Sequence, residues 1–137
     1  MSDIAVDTSV AIPFVLRSHA AHADVRRHLG RRRPSLTGHS LAETYSVLTR
    51  LPGDARVLPI DAVTLIDANF GPPVLLDAAT ARSLPAVLAP LRIAGAAVYD
   101  ALVALAARKA RTPLATRDRR AAATYRALDV EVELIGG

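Results

Sequence analysis

The sequence predicts a three-layer α/β/α domain built around a mostly parallel sheet of about five strands. Short apolar runs alternate along the chain with longer stretches whose apolar residues recur at helical spacing. Parallel neighbours are joined by crossover helices that cover both faces of the sheet, so their strands are apolar throughout. The 137-residue chain fits one domain, 1–137, because domains most often have roughly 100 to 150 residues.

The amino-terminal half is predicted to contain two strands and four helices. Thr8 or Ser9 is expected to cap the first helix and Ser40 the third, because short hydroxyl side chains accept unpaired amide hydrogens at a helix start. Pro52 and Gly53 close the third helix. The predicted strands are 4–6 and 35–37, and the other predicted helices are 8–16, 20–30 and 60–70.

The carboxy-terminal half is predicted to contain three strands and three helices. Glu131 and Glu133 alternate with apolar neighbours in the last strand, as expected of a strand with one solvated face. Asp77 directly follows an apolar run and is expected to cap the next helix. The predicted strands are 74–76, 114–116 and 130–134, and the predicted helices are 78–88, 98–110 and 119–128.

The composition excludes some classes of site. The chain has no cysteine, so it forms neither disulfides nor zinc–thiolate centres. Aromatic residues make up only 4% of the chain, which argues against a series of stacking platforms for single-stranded nucleic acid. Contact with RNA would then depend on arginine and the backbone.

The charge balance suits an anionic partner but does not identify one. The net charge is +4, and all but one of the 17 basic residues are arginine, whose planar guanidinium pairs bidentately with phosphate. A genome rich in G and C would produce the same bias, so this signal is weak.

The chain is expected to be soluble, cytoplasmic and without a membrane partner. Asp3 and Asp7 lie near the amino terminus, where a signal peptide would carry basic residues. The most apolar stretch, 93–107, has the length of a buried helix rather than a membrane span, and Asp100 interrupts it.

Two carboxylates follow predicted strands at the point where each strand ends. Asp7 follows the first strand, and Asp118 lies just beyond the strand 114–116. In open parallel sheets, functional groups collect beyond the carboxyl ends of the strands. Each of these residues has an equally good structural interpretation as a helix cap, so position alone does not establish a site.

Two further acidic residues lie within predicted helices. Asp100 is surrounded by apolar residues, and Ala104 and Ala107 share its face, so burial would cost several kcal/mol without a partner or a cation. The alternative is a first-turn Asp stabilised by the helix dipole. Glu43 lies beside Val47 at the margin of an apolar stripe, and its local pattern taken alone favours a solvated surface residue.

A cluster of these four carboxylates would require cations. Each close pair would repel by roughly 3 kcal/mol at about 5 Å with an effective dielectric constant near 20. Oxygen ligands without His or Cys favour Mg²⁺ or Mn²⁺ over zinc, and one or two such ions activate a water for attack on a phosphodiester. Thr8, Ser9 and Thr116 are placed to orient the carboxylates; their other interpretation is capping or strand propensity.

These motifs resemble the four acidic motifs of PIN-domain nucleases. The matching segments are 6–9, the helical Glu43, 99–101 and 116–118, and the likeness is closest to VapC-type toxins. The resemblance implies that Asp7, Glu43, Asp100 and Asp118 are catalytic and bind Mg²⁺ or Mn²⁺ for endonucleolytic RNA cleavage. It also implies a VapB-type antitoxin partner and a homodimer. Arg117 stands where many members have Asn, and an Arg also occurs at this place in the family.

Two other interpretations remain open. A signalling receiver domain would pair Asp7 with a phosphate-accepting Asp77 near Thr116, but it needs a lysine beyond the last strand, which this chain lacks. A PIN scaffold without catalytic activity would bind RNA or protein only, against which the complete acidic set argues. His19 and His22 are interpreted as surface residues, His28 and His39 show no partner pattern, and the basic run 31–33 is interpreted as a solvated loop that can touch phosphate.

Overall fold

A computed structural model describes residues 3–136 of the chain. Within this range the fold has four strands and eight α-helices, with 3₁₀ turns at Gly53–Ala55 and Ala89–Leu91. The strands are β1 (Ile4–Val6), β2 (Pro34–Leu36), β3 (Leu114–Thr116) and β4 (Val132–Leu134). The helices are α1 (Thr8–Val15), α2 (His22–Leu29), α3 (Gly38–Thr49), α4 (Pro59–Asn69), α5 (Ala78–Arg82), α6 (Leu84–Leu88), α7 (Ala97–Ala110) and α8 (Arg119–Ala127).

The strands form one parallel sheet in the order β2-β1-β3-β4. From β1 the chain crosses to β2 on one side, and it later returns to place β3 on the other side. The strand order therefore reverses between β1 and β3. In sheets of this kind, such a switch point opens a crevice beyond the carboxyl ends of the two strands.

Side chains alternate between the two faces of the sheet, and each face packs against helices. Ile4 and Val6 belong to a core with α1, α2 and α4, whereas Ala5 belongs to a second core with α7 and α8. In β3, Leu114 and Ala115 divide between the two cores in the same way. This arrangement confirms the predicted three-layer α/β/α class.

The sheet has four strands rather than about five. The predicted strand 74–76 is reduced to one bridge between Thr37 and Val74. Helix α3 begins at Gly38, directly after this bridge, so the backbone next to Leu75 has no extended partner. Pro72 and Pro73 precede the bridge and lack the amide hydrogens that a longer ladder would need.

The predicted caps of the first and third helices are wrong. Thr37 is the N-cap of α3: its side chain accepts from the Ser40 amide, while the Ser40 hydroxyl accepts from the Thr37 amide. Ser40 therefore lies at the third position of a capping box. Helix α1 begins at Thr8 with Asp7 as its N-cap residue and no side-chain cap, which leaves the Asp7 carboxylate free for other contacts.

The predicted helix 78–88 divides into α5 and α6 at Ser83. Pro85 lacks the amide hydrogen that would continue the helix, and its ring crowds the preceding turn. The prediction for Asp77 is confirmed, since its side chain caps α5 by accepting from the Thr80 amide at 3.2 Å. Across residues 3–136, no helix is both long enough and apolar enough to cross a bilayer.

Candidate active site

All four candidate carboxylates line one cavity of about 230 Å³ beyond the carboxyl ends of β1 and β3. They approach it from four elements: the end of β1, helix α3, the first turn of α7 and the start of α8. The lining residues are Asp7, Thr8, Ser9, His39, Glu43, Val47, Arg50, Asp100, Val103, Asp118, Ala121 and Tyr125.

Asp7 is the most deeply placed of the four, with only 5% of its surface exposed. Ser9 Oγ donates to Asp7 Oδ1 at 2.6 Å, and Tyr125 Oη donates to Asp7 Oδ2 at 2.7 Å. Burial raises the pKa of Asp7, and hydrogen bonds from Ser9, Thr116 and Tyr125 oppose that rise. The carboxylate is therefore held in one orientation at a cost in desolvation.

Asp118 lies two residues beyond β3, where it lines the cavity and caps the next helix. It is the N-cap of α8, where its Oδ1 accepts from the amides of Arg120 at 2.9 Å and Ala121 at 3.3 Å. Thr116 Oγ1 accepts from the Asp118 amide at 3.0 Å. These contacts fix one oxygen of the carboxylate and leave Oδ2 available at the cavity.

Asp100 is the carboxylate whose pKa shows the charges of the other three most clearly. It is half-buried in the first turn of α7, and its side chain makes no hydrogen bond with the rest of residues 3–136. Burial raises the pKa of Asp100, and so, in decreasing order, do the negative charges of Asp118, Asp7 and Glu43, whereas His39 lowers it. The four acidic groups therefore share one electrostatic environment.

Glu43 is the most open member of the set. It lies on the second turn of α3, and 48% of its side chain is exposed. Thr8 Oγ1 donates to Glu43 Oε1 at 2.8 Å, which ties α1 to α3 across the cavity mouth. His39 Nε2, one helical turn earlier, lies 3.9 Å from Glu43 Oε2.

Ser9 and Thr116 link the segments that carry Asp7 and Asp118. Ser9 Oγ lies 3.3 Å from Thr116 Oγ1 and accepts from the Arg117 amide at 2.8 Å. The backbone of Arg117 is thus anchored, while its side chain is exposed. The structure places Thr8, Ser9 and Thr116 in direct contact with the acidic residues or their backbone.

A family model described as PIN domain matches residues 4–127. The chain belongs to the PIN-domain family. It is 56% identical over 129 residues to Ribonuclease VapC27 of Mycobacterium tuberculosis, and the match covers 94% of each chain.

Two solved structures show the same PIN fold. Mycobacterium tuberculosis VapC20, described as a sarcin–ricin loop cleaving toxin, matches with a TM-score of 0.64 and 19% identity, over 88% of this chain and 93% of that chain. VapBC2 from Rickettsia felis, bound to a DNA fragment from its promoter, matches with a TM-score of 0.65 and 13% identity, over 97% and 98% of the two chains. At these identities the likeness concerns the fold.

The PIN cavity also contains Tyr125, which sequence reasoning missed. Its ring is 1% exposed, and burial together with the charge of Asp7 raises the pKa of its hydroxyl far above the usual range. The hydroxyl therefore stays protonated and acts as a donor. A buried tyrosine needs a partner for its hydroxyl, so Tyr125 on an apolar helix face was a usable signal.

His39, in the first turn of α3, and Arg50, the residue that follows this helix, line the same PIN cavity, and neither was predicted as a site residue. His39, Glu43 and Arg50 recur at spacings of four and seven residues, which places them on one helical face. His39 also stacks on Tyr99. The sequence shows that His39 and Arg50 lie four and seven residues from Glu43. This spacing indicates site residues only when Glu43 is known to line the cavity.

The donor set fits a hard divalent cation by its chemistry. Four carboxylates supply oxygen ligands, and the two most enclosed, Asp7 and Asp100, have pKa values raised by burial. Across residues 3–136, however, no three His, Asp or Glu side chains stand close enough together to hold an ion as they are placed. A bound cation would favour a closer arrangement, because each close pair of carboxylates without one is unfavourable.

Asp77 lies in a different part of the PIN domain, so the receiver-domain interpretation is wrong. It lines a separate cavity of about 470 Å³ together with Thr80, Arg108, Lys109 and Arg111. A receiver site would bring Asp77 beside Asp7, whereas the two carboxylates line different cavities. The four candidate carboxylates all line the smaller cavity, and none of them lines this larger one.

The remaining polar candidates have structural partners. His28 Nε2 lies 2.7 Å from Glu133 Oε1, and Arg32 donates to both carboxylate oxygens of Glu133 at 2.8 and 2.9 Å. His28 and Arg32 are therefore both engaged with Glu133 within the protein. His19 and His22 each hydrogen-bond a backbone atom.

Proposed function

We propose that this PIN-domain protein is a divalent-metal-dependent endoribonuclease and the toxin of a type II toxin–antitoxin pair. The observation that carries the proposal is the convergence of Asp7, Glu43, Asp100 and Asp118 on one cavity, where the charges of the other three raise the pKa of Asp100. The relative at 56% identity is named a ribonuclease and is matched over almost its whole length, which supports the same reaction class.

Asp7, Asp100 and Asp118, together with Glu43, would hold Mg²⁺ or Mn²⁺. A bound ion of this kind lowers the pKa of a coordinated water and offsets the charge that develops on the leaving oxygen. Asp7 is already oriented by two hydroxyl donors, and Asp118 keeps one oxygen free of its capping contacts. Within residues 3–136, Asp100 makes no side-chain hydrogen bond that would have to break. The positive charge of the ion would offset the repulsion between the carboxylates as their side chains move toward it.

Arg50 would bind a phosphate of the RNA beside this acidic group. Its guanidinium lines the cavity and makes neither an ion pair nor a hydrogen bond with the rest of residues 3–136. A free guanidinium matches phosphate geometry with two parallel hydrogen bonds. It would counter the repulsion between an anionic substrate and the carboxylates, while Thr8 holds Glu43 in place.

The experiment that tests this function is cleavage of an RNA panel by the purified protein, with Mg²⁺ or Mn²⁺ and with chelator. We expect endonucleolytic products only with metal, and loss of at least roughly 100-fold in rate for Asp7→Asn. Asp77→Asn is the matched control, since it changes a carboxylate outside the cavity and Asn also caps helices well. Metal-independent cleavage, or full activity of Asp7→Asn, would overturn the proposal. Absence of cleavage on every RNA would favour a PIN scaffold without catalytic activity.

A VapB-type antitoxin would dock in an apolar groove between α3 and α4. The groove is lined by Leu41, Ala42, Tyr45, Val63, Ile66 and Asp67 and continues toward Phe70, Pro72 and Pro73. Val63 and Tyr45 are 47% and 39% exposed, which is unfavourable for an isolated monomer. Because α3 carries both this groove and Glu43, a segment bound here would lie beside the active site.

The docking proposal is tested with the co-expressed antitoxin and the variant Val63→Glu. A charge in the centre of the groove should weaken antitoxin binding by roughly 100-fold while RNA cleavage stays unchanged. Equal binding of wild type and variant would contradict the assignment of this groove.

The protein would also form a homodimer through apolar surface outside the groove. Leu75 and Leu91, exposed by 61% and 48%, lie outside the residues that line the groove and offer apolar surface for a homodimer. Sedimentation equilibrium would show a dimer, and a monomer at all concentrations would exclude it.

An RNA-cleaving toxin meets its substrate in the cytoplasm, which is where we place the protein.

A further inference from the structure

An aromatic pair stands at the edge of the acidic cavity. The rings of His39 and Tyr99 are stacked, with centroids 5.5 Å apart and planes 19° apart. His39 lines the cavity one turn before Glu43, and Tyr99 directly precedes Asp100 in the first turn of α7. The pair therefore joins the two helices that carry half of the acidic set.

Tyr99 is largely exposed to solvent even though its ring stacks on His39. One ring face rests on His39, yet 57% of the residue is exposed, compared with 1% for Tyr125. Its hydroxyl makes no hydrogen bond with residues 3–136. The Tyr99 ring thus exposes aromatic surface beside the cavity, and its stack on His39 fixes its orientation.

We propose that Tyr99, supported by His39, is the platform on which one nucleobase of single-stranded RNA stacks, next to the phosphate that is cut. This inference rests on the proposed ribonuclease function and adds how the substrate is positioned. Stacking on an aromatic ring accepts any base, because every base has a π-face. The 4% aromatic content excludes a series of such platforms but not this single one.

The position of the pair relates the platform to the other groups of the cavity. A base stacked on Tyr99 would lie beside Asp100, the next residue of α7, while Arg50, which follows the last residue of α3, lines the same cavity. The platform and the guanidinium would then hold the chain at two points around the acidic group. The competing interpretation is that the ring pair only fastens α3 to α7.

The direct test uses Tyr99→Trp in the full-length protein with chelator present, so that RNA binds without being cut. The chain contains no tryptophan, so the introduced indole is the sole fluorophore of its kind. We expect saturable quenching by a short unstructured oligoribonucleotide, and loss of that quenching when the oligomer lacks the base at the contacted position. Binding of RNA without any change in fluorescence would overturn the proposal, and so would equal quenching by the abasic oligomer.

Kinetics separate a platform from a structural contact. Tyr99→Ala should raise KM for RNA roughly 5- to 100-fold with kcat little changed, whereas Tyr99→Phe, which keeps the ring, should stay within about two-fold of wild type. The melting temperatures of both variants identify a loss due to unfolding. A Tyr99→Ala variant that is folded and has wild-type KM contradicts the platform.

Failure of the nuclease function gives a different result from failure of the platform. If no RNA is cut with any metal but Tyr99→Trp is quenched by RNA and not by the abasic oligomer, the platform stands and the reaction is wrong. If RNA is cut normally by Tyr99→Ala, the reaction stands and the platform is wrong.

Discussion

Tyr125 Oη donates a 2.7 Å hydrogen bond to Asp7 Oδ2 and so joins helix α8 to the carboxyl end of the central strand. Both residues are buried, with 1% and 5% of their surfaces exposed. The donor opposes the rise in the pKa of Asp7 that burial causes. The orientation of the most enclosed carboxylate thus depends on a residue from the opposite end of the chain.

Removal of this hydroxyl should destabilise the fold and the site together. Tyr125→Phe leaves a buried carboxylate with one donor fewer, and a hydrogen bond to a charged group contributes about 1.5 to 3 kcal/mol. We expect a loss of that size in the free energy of unfolding, measured by urea denaturation. Tyr45→Phe is the control, since Tyr45 is exposed and its hydroxyl makes no hydrogen bond with residues 3–136. Equal stability of the two variants would show that the Asp7 contact contributes nothing.

Asp100→Asn should stabilise the metal-free protein in a pH-dependent way. The pKa of Asp100 is raised in the folded state above its ordinary value of 3.8 by burial and by Asp118, Asp7 and Glu43. Between 3.8 and the folded pKa, the native state binds more protons than the unfolded state, so wild-type stability falls as pH rises through that window. Below it the two proteins should be equally stable.

The size of this effect is modest because solvent screens a half-exposed carboxylate. We expect an advantage of less than about 1 kcal/mol for Asp100→Asn at neutral pH, or roughly 2 to 4 °C in melting temperature. Urea denaturation in chelator at a series of pH values measures it, and taking the difference between the two proteins cancels the titrating groups that do not interact with Asp100. A difference that is constant with pH, or that favours wild type, contradicts the crowding of charge at Asp100.

Arg50 should contribute to RNA binding rather than to stability. Arg50→Gln removes a guanidinium that has no partner within residues 3–136, so the melting temperature should not change. KM for RNA should rise roughly ten-fold, as expected for a lost bond to a phosphate. Arg82→Gln, an exposed substitution outside the cavity, should leave KM unchanged. Equal KM for both variants would exclude a substrate contact at Arg50.

Those parts of the fold and site that depend on local pattern could be predicted from the sequence. Two short, mostly apolar runs, Ile4–Val6 and Leu114–Thr116, are followed by Asp7 and Asp118. Because the carboxyl ends of parallel strands meet at one edge of the sheet, these two carboxylates are expected to lie close together, and both line the same cavity. Asp100 could be predicted because burying a carboxylate on an apolar helix is unfavourable unless a partner or a cation compensates for it.

Features that depend on tertiary contacts could not be predicted in this way. Val74 forms a single bridge because α3 starts at Gly38, which no pattern around Val74 indicates. Thr37 and Ser40 are both good capping residues, and only the geometry shows which one begins the helix. The contact of Tyr125 with Asp7 spans 118 positions of the chain, so neither residue's neighbours predict it.

The most direct test of the acidic centre is Mn²⁺ binding, followed by electron paramagnetic resonance of the free ion. Wild type should bind Mn²⁺, and Asp7→Asn, Asp100→Asn and Asp118→Asn should each weaken binding by at least roughly ten-fold, because each removes one charged oxygen ligand. Asp77→Asn, outside the cavity, should bind as wild type does. If wild type binds no Mn²⁺, or if the three cavity variants bind it as tightly as Asp77→Asn, the four carboxylates do not form a metal centre.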